Sequence, residues 1–255
     1  MLDRGWRLFA IMVNYLVYGL GSLLLWYVVY PCTAWRVPPE RREVYARFLS
    51  RGAFRFFIRF TAFMGMWRYH IEGAERLEKP GRVIIANHPS FLDVVLLFAL
   101  TENAVCIVKP VLARVPLVRE PIRRCGHVVA DEAEEVLHKS VRVIREGASL
   151  ILFPQGTRTP AGVPIRFHRS AARIALEAGV PMVPVYFRYQ PSLLGKGEQW
   201  YNVPSTRPQV QVLVGEEILP DNAGGEPLSL SSRKLTRRLE AWFEAWEYDH
   251  GSVGR

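Results

Sequence analysis

Asn87-His88-Pro89-Ser90-Phe91-Leu92-Asp93 follows Val83-Ile84-Ile85-Ala86 directly, and the junction between the two decides how the rest of the chain is read. A short apolar, β-branched run is the pattern of a buried strand, and Pro89 suits the first position of a following helix, expected from about Phe91 to Thr101. A strand that passes so quickly into a helix belongs to an α/β fold. It also places a titratable imidazole, His88, and a carboxylate, Asp93, at the mouth of a sheet.

The same alternation continues downstream. Val105-Cys106-Ile107-Val108 reads as a second strand. A basic segment with Arg114, Arg119, Arg123 and Arg124, interrupted by Pro116 and Pro121, is expected to be irregular and to lead into a strand over Gly126 to Ala130. Asp131, Glu132, Glu134 and Glu135 load negative charge onto a helix N-terminus, with Leu137, Val141 and Ile144 on one face and Gly147 as the stop. Leu150 to Phe153 is another buried strand, and it delivers the turn Pro154-Gln155-Gly156-Thr157-Arg158. Gly156 permits a conformation closed to other residues, so that backbone N–H groups, the Thr157 hydroxyl and the Arg158 guanidinium can cradle a phosphate. A helix from Ser170 to Ala178 ends at Gly179, strands follow over Val180 to Phe187 and Gln209 to Val214, and Ser231 is expected to cap a last helix. Leu235, Leu239, Trp242 and Trp246 fall on one face of that helix, for core or membrane contact.

Upstream, no charged residue occurs from Leu8 to Tyr30, a stretch long enough to cross a bilayer and flanked by aromatic residues. It is too long for the core of a signal peptide and no small-x-small site follows it, so a retained anchor is expected. Arg4 and Arg7 precede it while Arg36, Arg41 and Arg42 follow, so charge bias does not set its orientation. After Pro38-Pro39, Phe54, Phe56, Phe57, Phe60, Phe63 and Trp67 crowd a segment in which Arg51, Arg55 and Arg59 recur every four residues. A cationic stripe beside an aromatic face is the pattern of a helix lying on a membrane. The expected division is therefore membrane-anchoring helices over 1–70 and an α/β domain over 71–255.

The 255 residues carry a net charge of +9 and are 49% hydrophobic. A basic balance suits anionic lipid headgroups, phosphorylated substrates or nucleic acid; the anchor favours lipid, and no nucleic-acid-binding motif is visible. The three cysteines, Cys32, Cys106 and Cys125, form no C-x-x-C pair and suggest neither a zinc site nor a disulfide framework, which fits a reduced, cytoplasm-facing catalytic domain. His127, His138 and His168 share no metal-ligand spacing, and no metal is expected.

Asn87-His88-(four residues)-Asp93, the Phe153 to Arg158 turn and Val180-Pro181-Met182-Val183-Pro184-Val185 occur in that order. Together they resemble the glycerolipid acyltransferase family, and more closely the 1-acylglycerol-3-phosphate and related lysophospholipid acyltransferases. The likeness runs from about Arg82 to Val214, with similar N-terminal membrane helices. It implies a mixed sheet flanked by helices, with membrane-embedded helices at the N-terminus. It also implies transfer of an acyl group from a thioester of coenzyme A or acyl carrier protein, as cosubstrate and without a cofactor, to the free hydroxyl of a lysophospholipid. The first-choice acceptor is 1-acyl-sn-glycerol-3-phosphate, giving phosphatidic acid at the cytoplasmic membrane. His88 would be the general base, since an imidazole titrates near pH ~6.5, and Asp93 would orient it. Backbone N–H groups at the helix start are expected to hold the oxyanion. A hydrolase-like triad through Ser90 is not expected, because no Gly-x-Ser-x-Gly elbow surrounds it, and Ser90 is assigned to the helix start. Gln155, Gly156, Thr157 and Arg158 would bind substrate, Arg158 gripping the acceptor phosphate.

Two positions depart from the family pattern: Gln155 stands where Glu is usual, and Glu132 where an Arg linked to phosphate recognition is common. They leave open another lysolipid acceptor, such as an ornithine-type lysolipid, or a non-catalytic membrane lipid-binding protein. Lys109, Arg123, Arg124, Arg166 and Arg169 are the cations available to replace the missing arginine.

Overall fold

The computed structural model describes residues 2–129, 131–159, 163, 165–199, 201, 204, 206–221 and 226–251; Ala130, placed above at a strand end, lies outside them. Seven strands form one sheet: β1 (Arg68–Glu72), β2 (Val83–Ala86), β3 (Ala104–Val108), β4 (Val128–Val129), β5 (Ser149–Leu152), β6 (Met182–Gln190) and β7 (Gln209–Val214), in the order β1-β7-β6-β2-β5-β3-β4. β6 pairs antiparallel with β7 and every other pairing is parallel, so the sheet is mixed. Position 70 falls in the middle of β1.

β2 sits between β5 and β6, and its alternation sends side chains into two separate cores. Val83 and Ile85 face a core closed by α6 (Ala133–Arg145), α7 (Ser170–Ala178) and α8 (Leu228–Gly251). Ile84 and Ala86 face a second core closed by α4 (Leu92–Leu100) and α3 (Arg42–Phe63). A strand covered on both faces needs the uninterrupted apolar run that β2 has. The C-terminal ends of the parallel strands β2 and β5 therefore open on one edge of the sheet, where open α/β sheets place their ligands.

Three local expectations are corrected. Pro89 lies three residues ahead of α4 rather than at its first position, in the bend that turns the chain away from β2. The basic segment is not irregular but forms α5 (Pro116–Arg124): Pro116 occupies the first position, where no N–H is needed, and Pro121 costs one backbone bond without stopping the helix, since the Cys125 N–H still reaches its carbonyl at 3.0 Å. Ser231 does not cap α8; that helix starts at Leu228, and Ser231 is buried within it. Leu235 and Leu239 do face the core, with Trp242 and Trp246 packed against it.

At the N-terminus, α1 (Leu2–Leu24), a π-helical turn over Leu25–Val29 and α2 (Tyr30–Ala34) run on as one helix. Gly5–Ala34 is long and apolar enough to cross a membrane by length and composition. It lies antiparallel to α3: Trp6 donates to the Met64 carbonyl at 3.0 Å, Tyr18 meets Phe57 and Tyr30 meets Tyr45. Phe9, Met12, Leu16, Leu20, Leu24 and Tyr27 form an exposed stripe along its outer side. On α3 the arginine row runs along the flank of the helix, and two of its members reach the neighbouring helix. Arg51 donates to the Leu100 carbonyl at 3.0 Å and Arg55 to Ala99 at 2.9 Å, while buried Arg47 reaches the Cys125 carbonyl at 2.7 Å. The last carbonyls of α4 have no donors within their own helix, and guanidinium groups satisfy them. Arg59 stays exposed. Phe48, Phe56 and Phe63, the last 87% exposed, are left on the outer face.

Candidate active site

β2 ends at Ala86, and the next residue continues its pairing with a side chain. The Asn87 amide donates to the Phe187 carbonyl at 2.9 Å and accepts from the Phe187 N–H at 2.7 Å, so it holds the chain to β6 where the ladder stops. His88 is then fixed from three sides. Its N–H donates to Gln155 Oε1 at 3.2 Å, its carbonyl accepts the Thr159 N–H at 2.9 Å, and its ring stacks on Phe153 with centroids 4.2 Å apart. The imidazole Nδ1 lies 3.0 Å from Asp93 Oδ2.

Asp93 is fully buried, with 0% exposure, in the first turn of α4. Oδ2 also accepts the Ser90 N–H at 2.8 Å, and Oδ1 accepts the Tyr189 hydroxyl at 2.6 Å. Burial pushes this carboxyl above its usual range, opposed by the hydrogen bonds from His88, Tyr189 and the Ser90 N–H. The His88 side chain is 16% exposed, and its Nε2 has no partner among the described residues. An imidazole held through one nitrogen by a carboxylate and open at the other is the geometry of a general base.

Ser90 takes the helix-start role. Its hydroxyl donates to the Leu193 carbonyl at 2.6 Å and accepts the Leu92 N–H at 3.2 Å. The expectation that N–H groups at this helix start hold an oxyanion is overturned. Ser90 N–H goes to Asp93, Phe91 N–H to the Leu194 carbonyl, Leu92 N–H to the Ser90 hydroxyl, and Asp93 N–H to the Ser90 carbonyl. On the facing turn, the Thr157 and Arg158 N–H groups have no partner among the described residues.

Gln155 meets the His88 backbone, and Gly156 takes φ +71°, where a Cβ would come within ordinary contact of the His168 ring. Arg158 turns toward the loop after β6, where its Nη1 donates to the carbonyls of Leu194 and Gly195 at 3.0 and 3.1 Å. Nη2 and Nε are left without partners among the described residues. A cavity of about 170 Å³ runs behind the pair between Asn87, Gln155, Arg188, Tyr189 and Lys196.

Arg123 and Arg124 both pair with Glu120 on their own helix, at 2.8 and 2.7 Å. Lys109 is exposed just beyond β3; Arg166 and Arg169 are exposed just before α7. Glu132 precedes α6 and is exposed. Burial pushes His127 down to about 3, and its Nδ1 accepts the Cys106 N–H at 3.3 Å, a structural use. Among the described residues no three His, Cys, Asp or Glu side chains converge as metal ligands. Sequence reasoning missed Asn87 as a clamp and Tyr189 as a partner of Asp93, because both act across about 100 positions of chain.

A layered α/β domain that backs a histidine with a buried carboxylate at the end of its central strands is built for proton transfer from a hydroxyl, as acyl transfer requires. Residues 68–188 match the family model described as Acyltransferase. The chain is similar to a 1-acyl-sn-glycerol-3-phosphate acyltransferase of Pseudomonas aeruginosa, 25% identical over 77% of this chain and 75% of the relative. It is similar also to one of Chlamydomonas reinhardtii, 29% identical over 66% of this chain and 52% of the relative, so it spans only about half of that protein. Its fold is that of the crystal structure of the 1-acyl-sn-glycerophosphate (LPA) acyltransferase PlsC from Thermotoga maritima, with TM-score 0.68, 21% identity, and 94% and 97% of the two chains covered. Residues 68–188 therefore carry an acyltransferase domain, and the relatives support an O-acyltransferase of the glycerolipid kind.

Proposed function

We propose that the protein moves a fatty acyl group from an acyl thioester, of coenzyme A or acyl carrier protein, to the free hydroxyl of a lysophospholipid, foremost 1-acyl-sn-glycerol-3-phosphate, giving phosphatidic acid. The observation that carries this reading is the His88–Asp93 pair at 3.0 Å, with its carboxylate buried and Nε2 open. His88 Nε2 takes the proton of the hydroxyl as its oxygen attacks the thioester carbonyl. The tetrahedral oxyanion is met by the Thr157 and Arg158 N–H groups. Its collapse breaks the C–S bond, and the leaving thiolate takes the proton from His88, leaving an ester and a thiol. Arg158 Nη2 and Nε grip the phosphate. Because Arg158 already spends Nη1 on two carbonyls and Gln155 is neutral, a lysolipid without a phosphate is the second reading.

The proposed reaction runs at the cytoplasmic face of the membrane. α1 lies along α3, and α3 is fastened to the α/β domain by Arg51 and Arg55, so a crossing α1 would carry part of the domain into the bilayer. The exposed stripe of α1 therefore enters one leaflet. Purified protein in detergent, offered acyl-coenzyme A or acyl carrier protein with a panel of lysolipids, tests the reading. Wild type should release thiol with a lysolipid while His88→Ala is nearly inactive. Undiminished release by the variant removes the mechanism, and vesicle binding without any transfer favours a lipid-binding role instead.

A further inference from the structure

Tyr189 belongs to none of the motifs by which the site was read, yet its hydroxyl is 2.6 Å from Asp93 Oδ1. β6 brings it there. Val185 is in register with Ala86, the last residue of β2, so Tyr189 extends four residues past the end of that strand, over the site. The two oxygens of Asp93 receive three donors, His88 Nδ1 and the Ser90 N–H on Oδ2 and the Tyr189 hydroxyl on Oδ1. Without the phenol hydroxyl, Oδ1 of a wholly buried carboxylate has no donor among the described residues. Such an oxygen is costly, and the cost is relieved by holding a proton more tightly.

We propose that Tyr189 is a positioning residue of the acyl transfer: by donating to Oδ1 it keeps Asp93 ionised, with Oδ2 aimed at His88 Nδ1, and so keeps the imidazole in the tautomer whose Nε2 faces the acceptor hydroxyl. The inference rests on His88 being the general base. The phenol gives up no proton in the reaction, because burial and the Asp93 carboxylate push it well above its usual range. The titratable groups in contact with Asp93 are His88 and Tyr189. Arg188, Lys196, Glu198 and Glu247 line the cavity beside Tyr189, and Arg158 stands on the turn bordering it. All of these persist in a Tyr189→Phe variant, so a change in titration belongs to the lost hydroxyl.

The test uses the full chain in detergent. In Tyr189→Phe the extra proton on the His88–Asp93 pair is bound more tightly, whichever partner carries it. The acid limb of kcat/KM should move up by roughly one pH unit, the scale of one hydrogen bond to a charged group. kcat should fall about tenfold to a hundredfold, with KM within about twofold. The imidazole titration of His88, followed by NMR and assigned with His88→Ala, should move up with it, and this readout needs no turnover. In an Asp93→Asn background the tyrosine change should add almost nothing. A 3-fluorotyrosine at position 189, a stronger donor in an unaltered fold, should move both readouts downward. Unshifted profiles overturn the proposal, as does a loss confined to KM, which would make Tyr189 a substrate contact. A wild type that acylates no lysolipid defeats the functional reading alone, and the imidazole titration still decides the role of Tyr189.

Discussion

Asp93→Asn should separate catalysis from stability in opposite directions. The amide is isosteric, and its oxygen can keep the Ser90 N–H and His88 Nδ1–H, now at 2.8 and 3.0 Å, if its NH₂ points to the Tyr189 oxygen. What disappears is the negative charge that stabilises imidazolium as the hydroxyl proton arrives. General-base catalysis supplies typically ~10²–10⁴-fold, so kcat/KM should fall by up to that amount, or ~3–5 kcal/mol of transition-state stabilisation. Stability responds to the carboxyl pKa, raised in the folded chain above an ordinary value of 3.8. Below that value both folded and unfolded chains hold the proton and the group contributes nothing. As pH rises through it, the unfolded chain releases the proton first, so wild type loses stability up to the folded pKa and does not regain it above. Asparagine has no such loss. The difference in melting temperature, variant minus wild type, should therefore increase from pH 4 toward neutrality, which thermal melts across pH 4–8 would measure beside thiol release. Activity within threefold of wild type would refute the catalytic assignment; a variant that loses ground to wild type as pH rises would refute the burial argument.

Ser90→Ala should keep acyl transfer within a few-fold, because the hydroxyl is engaged with Leu193 and Leu92; it should cost about 1–2 kcal/mol of stability in denaturant titration, and loss of turnover without loss of stability would revive an acyl-enzyme through Ser90. Arg158→Lys should raise KM for a phosphorylated acceptor about tenfold while leaving unphosphorylated lysolipids unaffected, since an ammonium replaces a fork that can span two phosphate oxygens; equal effects on both acceptors would take the phosphate away from this residue. Arg55→Ala removes the donor to the Ala99 carbonyl and should lower stability by about 1–3 kcal/mol, read as a shift in thermal midpoint; no shift would mean that α3 is held by its apolar face alone.

Features carried by neighbouring residues were legible in the sequence. Val83 to Ala86 is apolar throughout because helices cover both faces of β2, and α7 runs from Ser170 to Ala178 with Gly179 in the left-handed conformation that ends it. The His88–Asp93 pair was legible for the same reason, since a five-residue offset across one bend brings the two side chains together. α5 was hidden because Pro121 suggests a break that the helix absorbs. The partners of the arginine row on α3 were hidden for another reason: periodicity says that Arg51, Arg55 and Arg59 share a side, but only the end of α4 decides that Arg51 and Arg55 find carbonyls there. Tyr189 and Asn87 were invisible as partners because their bonds exist only after β6 has been laid beside β2.

α4 joins the two halves of the molecule more directly than its nine residues suggest. Its first turn holds Asp93, and its last carbonyls, Ala99 and Leu100, take Arg55 and Arg51 from α3. At a rise of 1.5 Å per residue the helix sets roughly 10 Å between Asp93 and the carbonyls that hold α3, the helix whose far side exposes Phe48, Phe56 and Phe63. Under the proposed function that spacing is a working dimension. A lysolipid presents its hydroxyl just outside the hydrocarbon while its chain stays within it, so the base must stand at a fixed height above the apolar surface. Flexible attachment of the N-terminal helices would leave that height to chance; charge-assisted bonds to the end of the helix that carries Asp93 do not.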